Sequence, residues 1–312
     1  MKAIQYSNIL KQSFLLTWKN KFLWFFGFMI FLSLLIEEAV NLVGSLPFGG
    51  SVIFDWLRPF VNMDNDSNLL VSILMLAIII GFMLLRILGI GSLIKSISNL
   101  PLYRQIKIHL IVKDASQYYW RLLGVDFVLG LVIFFLFCLL VIPIATLFTL
   151  KAYLFGSLTI LSALIIFVPL LFLVFFLRKF CNILIVLSGM NVKTAFEFSY
   201  SIFRQNIKES LLMGLIILGV GIIFICLIAP IIYIMLSLLS VMQTTAGYII
   251  FAKISLQIIG SLLIFLLFSF LNVLNQAAWL SFFSQISMEK NKKNILVKER
   301  MVKSEIPSPE TA

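Results

Sequence analysis

Few residues in this chain carry chemistry, and they stand apart within apolar sequence. Arg86 is the one basic residue well inside a long hydrophobic run, and Asp126 lies near the start of another. An arginine and an aspartate at similar depth can form an ion pair, or can bind a charged solute. Ser269, Asn272, Asn275, Gln276 and Trp279 recur at three- and four-residue spacing. On a helix that spacing makes one polar stripe. Asn182 and Ser188 add polar groups in and after a further apolar run. In lipid such a stripe must face protein or water. Interhelical hydrogen bonding is the simpler account, and a lined pathway the sharper one.

Other reactive types point nowhere. His109 is the only histidine, it sits in a basic loop, and it has no ligand partners in sequence, so no metal site is expected. Cys138, Cys181 and Cys226 all fall in apolar runs without a Cys-x-x-Cys pair and read as small hydrophobes. Glu37 and Glu38 are adjacent at a helix end, where carboxylates are ordinarily solvated, although they could hold a cation. No Ser-His-Asp set, paired catalytic carboxylates, phosphate loop or dinucleotide fingerprint is present. The expectation is a protein with no catalytic residues and no cofactor.

The elements that must position these residues follow from composition. Hydrophobic residues make up 62% of the 312, charged residues 12%, and the mean hydropathy is +1.11. Ordinary soluble domains are about 45–50% apolar and about 25% charged. A spanning helix needs ~20 apolar residues for a ~30 Å hydrocarbon core. Six stretches qualify, near 22–43, 69–94, 122–150, 154–178, 210–238 and 247–285. The fold class is therefore all-α: a polytopic integral membrane helical bundle with about six transmembrane helices. The last stretch is too long for one plain span, so it tilts or runs on beyond the bilayer. The segment from 287 to 312 is lysine-rich and ends in Ile306-Pro307-Ser308-Pro309-Glu310-Thr311-Ala312, which reads as a disordered basic cytoplasmic tail.

Net charge is +11. That excess does not imply nucleic acid, because it lies in short segments between apolar runs. Of 24 Lys and Arg residues, 20 fall on one side of a six-span topology. Only Arg58, Lys151 and Lys253 fall on the other, and Arg86 lies within a span. The basic side is expected to be cytoplasmic. Both termini then face the cytoplasm of a cell whose inner (plasma) membrane holds the protein, against an anionic inner leaflet. The first apolar run is longer than a signal-peptide core and lacks a clear cleavage site, so it reads as a retained helix. The outer connection 44–68 includes an amphipathic stretch, with Trp56 placed at headgroup depth.

The chain also repeats itself. Trp18-Lys19, Trp120-Arg121 and Phe203-Arg204 each precede an odd-numbered span. Around the third pair, Val192, Phe196, Ser199, Phe203 and Ile207 share one helical face, with Lys193, Glu197, Arg204 and Lys208 opposite. Such helices lie along a membrane interface, with Trp18, Trp120 and Phe203 as anchors. Phe137-Cys138-Leu139-Leu140-Val141-Ile142-Pro143 parallels Ile225-Cys226-Leu227-Ile228-Ala229-Pro230, which implies matching kinks. Three units follow, each an interfacial helix and a two-span hairpin.

The opening from Phe14 to Gly27, the Gly91-Ser92-Leu93-Ile94 segment and the Ala277-Ala278-Trp279-Leu280 segment resemble uncharacterised bacterial six-span membrane proteins. That group includes the membrane domain that accompanies some glycerophosphoryl diester phosphodiesterases. The catalytic barrel of those enzymes is missing here, so the resemblance implies a membrane bundle without the activity. The leading expectation is a non-enzymatic protein organising lipid or a membrane-protein partner, with no nucleic acid. A transporter or channel using the sixth-span stripe and a membrane-embedded lipid enzyme are the alternatives.

Overall fold

A computed structural model describes the backbone of residues 4–33, 65–100, 108–241 and 247–304. Expectations for Glu37, Glu38 and Trp56 lie outside the described residues. The described residues are helical throughout, joined by short turns. In chain order the helices are α1 (Tyr6–Lys19), α2 (Leu23–Ser33), α3 (Asn65–Ser98), α4 (Ile108–Ser116), α5 (Tyr119–Thr149), α6 (Tyr153–Ser188), α7 (Val192–Gln205), α8 (Ile207–Val241) and α9 (Gly247–Ser304). Five of them, α3, α5, α6, α8 and α9, are long and apolar enough to cross a membrane. The chain is a multi-pass helical membrane protein. The first expected span appears as the 11 residues of α2, and its remainder, 34–43, lies outside the described residues.

Two boundaries differ from the sequence reading. The fourth span was expected to end at 178, but α6 continues to Ser188. Arginine and lysine are good helix formers, so Arg178-Lys179 does not end the helix. Its stop is Gly189, which adopts φ +64 and donates its backbone N–H to the Ile185 carbonyl. Glycine takes that left-handed conformation without steric cost. The second difference is at the tail, where α9 stays helical to Ser304. No glycine or proline interrupts residues 287–304, and the first proline stands at 307. The prolines at 143 and 230 lie inside α5 and α8, which continue through them.

Short helices α1, α4 and α7 each precede a long hairpin, so the three-unit order holds in space. Each short helix packs on the second span of the preceding unit: α4 on α3, α7 on α6, and α1 on α9. The chain thereby closes into a ring. The second spans α3, α6 and α9 touch one another pairwise and form a central triad. Each first span wedges between its own second span and the preceding one. Gly89 of α3 faces Met29 and Ile30 of α2, and Gly27 of α2 lies against Ser269 and Val273 of α9. Gly214 of α8 faces Phe176 of α6, and α5 packs on both α6 and α3.

The short helices fit because small residues punctuate their inward stripes. Ile9, Ser13 and Thr17 are buried in α1, Ile111 and Ala115 in α4, and Ala195 and Ser199 in α7. They cross the second spans at other small residues. Gly91 lies beside Ala115, and Cys181 beside Ser199. On α9, Ala277 and Ala278 fall between Phe270 and Phe282, which meet Phe14 and Tyr6 of α1. Small residues let helix axes approach where apolar surface alone gives no drive for association in lipid.

The units break at different places, which corrects the sequence alignment of the aromatic-basic pairs. Asn20 and Asn206 end α1 and α7 by donating Nδ2 to the carbonyls of Leu16 and Ile202, at 2.8 and 2.9 Å. In the middle unit the break comes at Gln117-Tyr118. Trp120-Arg121 therefore lies in the first turn of α5, after the break, whereas Trp18-Lys19 and Phe203-Arg204 lie before theirs.

Candidate functional site

Packing is uneven along the bundle. The buried core gathers at the end where the short helices lie: Ile87 to Ile97 in α3, Leu122 to Leu129 in α5, Val174 to Val186 in α6 and Ser269 to Ile286 in α9. Toward the far end the same helices present large exposed side chains, among them Phe134, Phe135 and Leu139 of α5, Leu154 and Ile165 of α6, and Ile259 and Leu262 of α9. Asp126, Asn182, Asn272, Asn275 and Gln276 lie within these packed stretches, and Arg86 adjoins the one in α3.

Arg178 and Asp126 are joined by a bidentate ion pair. Arg178 Nε donates to Oδ1 at 2.8 Å, and its Nη2 donates to Oδ2 at 2.7 Å. The sequence offered Arg86 as one possible partner for Asp126, and the structure pairs Asp126 with Arg178. Seven residues into α5 and ten before the end of α6, on antiparallel neighbours, they meet at one level. Fork geometry on a carboxylate is the strongest arrangement an arginine can make, and in lipid it neutralises both charges at once.

Lys179, the next residue, turns the other way. Its ammonium donates to Gln276 Oε1 at 3.2 Å and lies 5.9 Å from the centroid of the Phe175 ring. Among the described residues it has no carboxylate partner. The charges of Arg178 and Arg86 both reach it. Sequence reasoning missed Arg178 and Lys179 because both were counted as inner-loop charges. Helix continuation to Gly189 was the available signal.

The sixth-span stripe divides. Gln276 and Trp279 are buried, and Ser269 is 2% exposed. Trp279 is fully enclosed by Phe175, Phe176, Phe180 and Phe282, with ring centroids 5.6–6.1 Å away. Asn272 donates Nδ2 to the Gly27 carbonyl at 3.4 Å, across to α2. Several buried atoms lack a protein partner: Gln276 Nε2, Trp279 Nε1, Asn182 Oδ1 and Asn275 Oδ1. Asn182 is one helical turn from Lys179 on α6, and Gln276 one turn from Trp279 on α9.

The anchors also separate. Trp18 and Trp120 are exposed. Phe203 is half-buried and stacks on Phe176, 5.1 Å between centroids. A proper tie is Trp24, whose Nε1 donates to the Thr17 carbonyl at 2.9 Å and fastens α2 to α1. Cys181 is buried and Cys226 exposed on α8. Among the described residues no group of three or more His, Cys, Asp and Glu converges. Compared with protein families, curated proteins and solved structures, the chain matches none.

Proposed function

We propose that this chain is a non-enzymatic bacterial inner-membrane protein that organises lipid around its helices. Its kinship would be with the six-span proteins that its opening and second-span segments resemble. In this reading both termini face the cytoplasm, and the short helices α1, α4 and α7 lie along the inner leaflet. Their basic neighbours would attract anionic lipid at about 1 kcal/mol per charge near the surface.

The observation that carries the reading is the contrast between the two halves of the bundle. One half is closed by Phe176, Phe180 and Trp279. The other exposes large side chains on most faces of α5, α6 and α8. Exposed apolar surface beyond a few hundred Å² must be covered by something, and in a bilayer acyl chains are the available cover. Packing of Gln276 and Trp279 weighs against a pathway through the central triad. The bidentate engagement of Asp126 weighs against its use as a catalytic acid.

The test is native mass spectrometry of the full chain released from nanodiscs of mixed phosphatidylglycerol and phosphatidylcholine, alongside solute-flux assays in vesicles. A retained lipid shell with no flux is the expected result. A bare protein, or a protein that conducts solute, overturns the reading.

A further inference from the structure

We propose that Lys179 and Gln276 form a binding site for the phosphate group of an anionic membrane amphiphile. The inference rests on the lipid-organising reading and names the ligand of its polar centre.

Four observations converge. First, Arg178 is neutralised by Asp126, whereas Lys179 meets only a neutral amide oxygen and a ring face. A charge held in lipid without a counter-charge is costly, so the cluster favours an anion. Second, the other half of the same amide, Gln276 Nε2, is a buried and unused donor. Buried donors in native proteins almost always find a partner. Third, Gln276 can rotate its amide. That exchange releases the Lys179 ammonium from Oε1 and turns Nε2 toward an incoming oxygen, so one motion frees two donors. Fourth, there is an approach from the bilayer. Lys179 is only half-buried, and Phe175 beside it is 41% exposed. The exposed rings of Phe172 and Phe175 offer an apolar flank to the chains of the same amphiphile.

Lysine suits this task as a compact point charge with three donors. Asn182, one turn along α6 with an unpartnered amide oxygen, can receive a headgroup hydroxyl. Phosphate can arrive on a lipid or free in solution, and the experiment separates the two.

The delipidated full-length protein in detergent is titrated with dihexanoyl phosphatidylglycerol, dihexanoyl glycerol and inorganic phosphate, and thermal stabilisation is followed. Stabilisation by the phospholipid alone supports a lipid headgroup. Stabilisation by phosphate as well, or by phosphate alone, supports the phosphate chemistry from a soluble source. Lys179→Gln should weaken the response roughly tenfold, the loss of one charge-assisted hydrogen bond, while Lys151→Gln in the exposed turn between α5 and α6 leaves it unchanged. Gln276→Glu should supply the anion internally: the ligand-free protein gains stability and the ligand response disappears. A gain in ligand-free stability together with a lost ligand response cannot come from misfolding. Equal response to dihexanoyl glycerol overturns the proposal, as does wild-type affinity in both Lys179→Gln and Gln276→Glu. A lipid shell retained by those variants would leave the lipid-organising reading standing while the site falls.

Discussion

Arg178 holds Asp126 through two parallel hydrogen bonds, 2.8 and 2.7 Å long, that tie α6 to α5. The side chains are 32% and 19% exposed, so the pair is sheltered without being sealed. Removing one partner strands the other. With that exposure discounted against a fully buried pair, Asp126→Asn should cost about 1–3 kcal/mol. The double variant Asp126→Leu, Arg178→Met should recover most of the loss. Unfolding midpoints in detergent for the two singles and the double close the cycle. Additive losses would show that the residues are not coupled.

Gly27 allows α2 to approach α9. A Cβ there would strike the Ser269 backbone carbonyl and lie 2.9 Å from Val273 Cγ2. Backbone cannot step aside as a side chain can, so Gly27→Ala should destabilise by about 1–3 kcal/mol, the usual range for overpacking. Gly130, Gly219 and Gly221 have nothing within 4 Å of such a Cβ. Alanine at those sites should leave the thermal midpoint within the error of measurement.

Asn20 and Asn206 end α1 and α7 with the same side-chain bond to the carbonyl four residues back. Replacing either by alanine forfeits about 0.5–1.5 kcal/mol, a typical net hydrogen bond, and removes the stop between short helix and span. Spin labels on α7 and α8 should then report a broader distance distribution in Asn206→Ala. An unchanged distribution would mean that packing alone sets the bend.

Tyr6 provides a pH handle outside the spans. Burial, and secondarily the Glu209 carboxylate, raise its pKa above the ordinary 10.0. The unfolded chain ionises this tyrosine near 10.0, while the folded chain resists. Its stabilising contribution is intact below pH 10.0 and is lost as pH rises through the higher folded value. Between pH 9 and 11 the wild-type midpoint should fall more than that of Tyr6→Phe. Parallel curves would place the loss elsewhere.

Much of this protein was legible in its residues one after another. Hydropathy located the long helices because a bilayer demands ~20 apolar residues per span. The face shared by Val192, Phe196, Ser199 and Phe203 marked α7 as amphipathic, and the recurring short helix before each odd span marked three units. Those features depend on local periodicity, and local periodicity is written in sequence. Packing decided the rest. An arginine ten residues before a helix end looks like a loop charge until Gly189, rather than Arg178-Lys179, stops the helix. The partner of Asp126 was set by which helix lies beside α5, and the closure of α9 on α1 by contacts spanning most of the chain. Lys179 and Gln276 are 97 residues apart, and no spacing rule connects them. Only the ring of three units, which brings α3, α6 and α9 together at its centre, places those polar groups against one another.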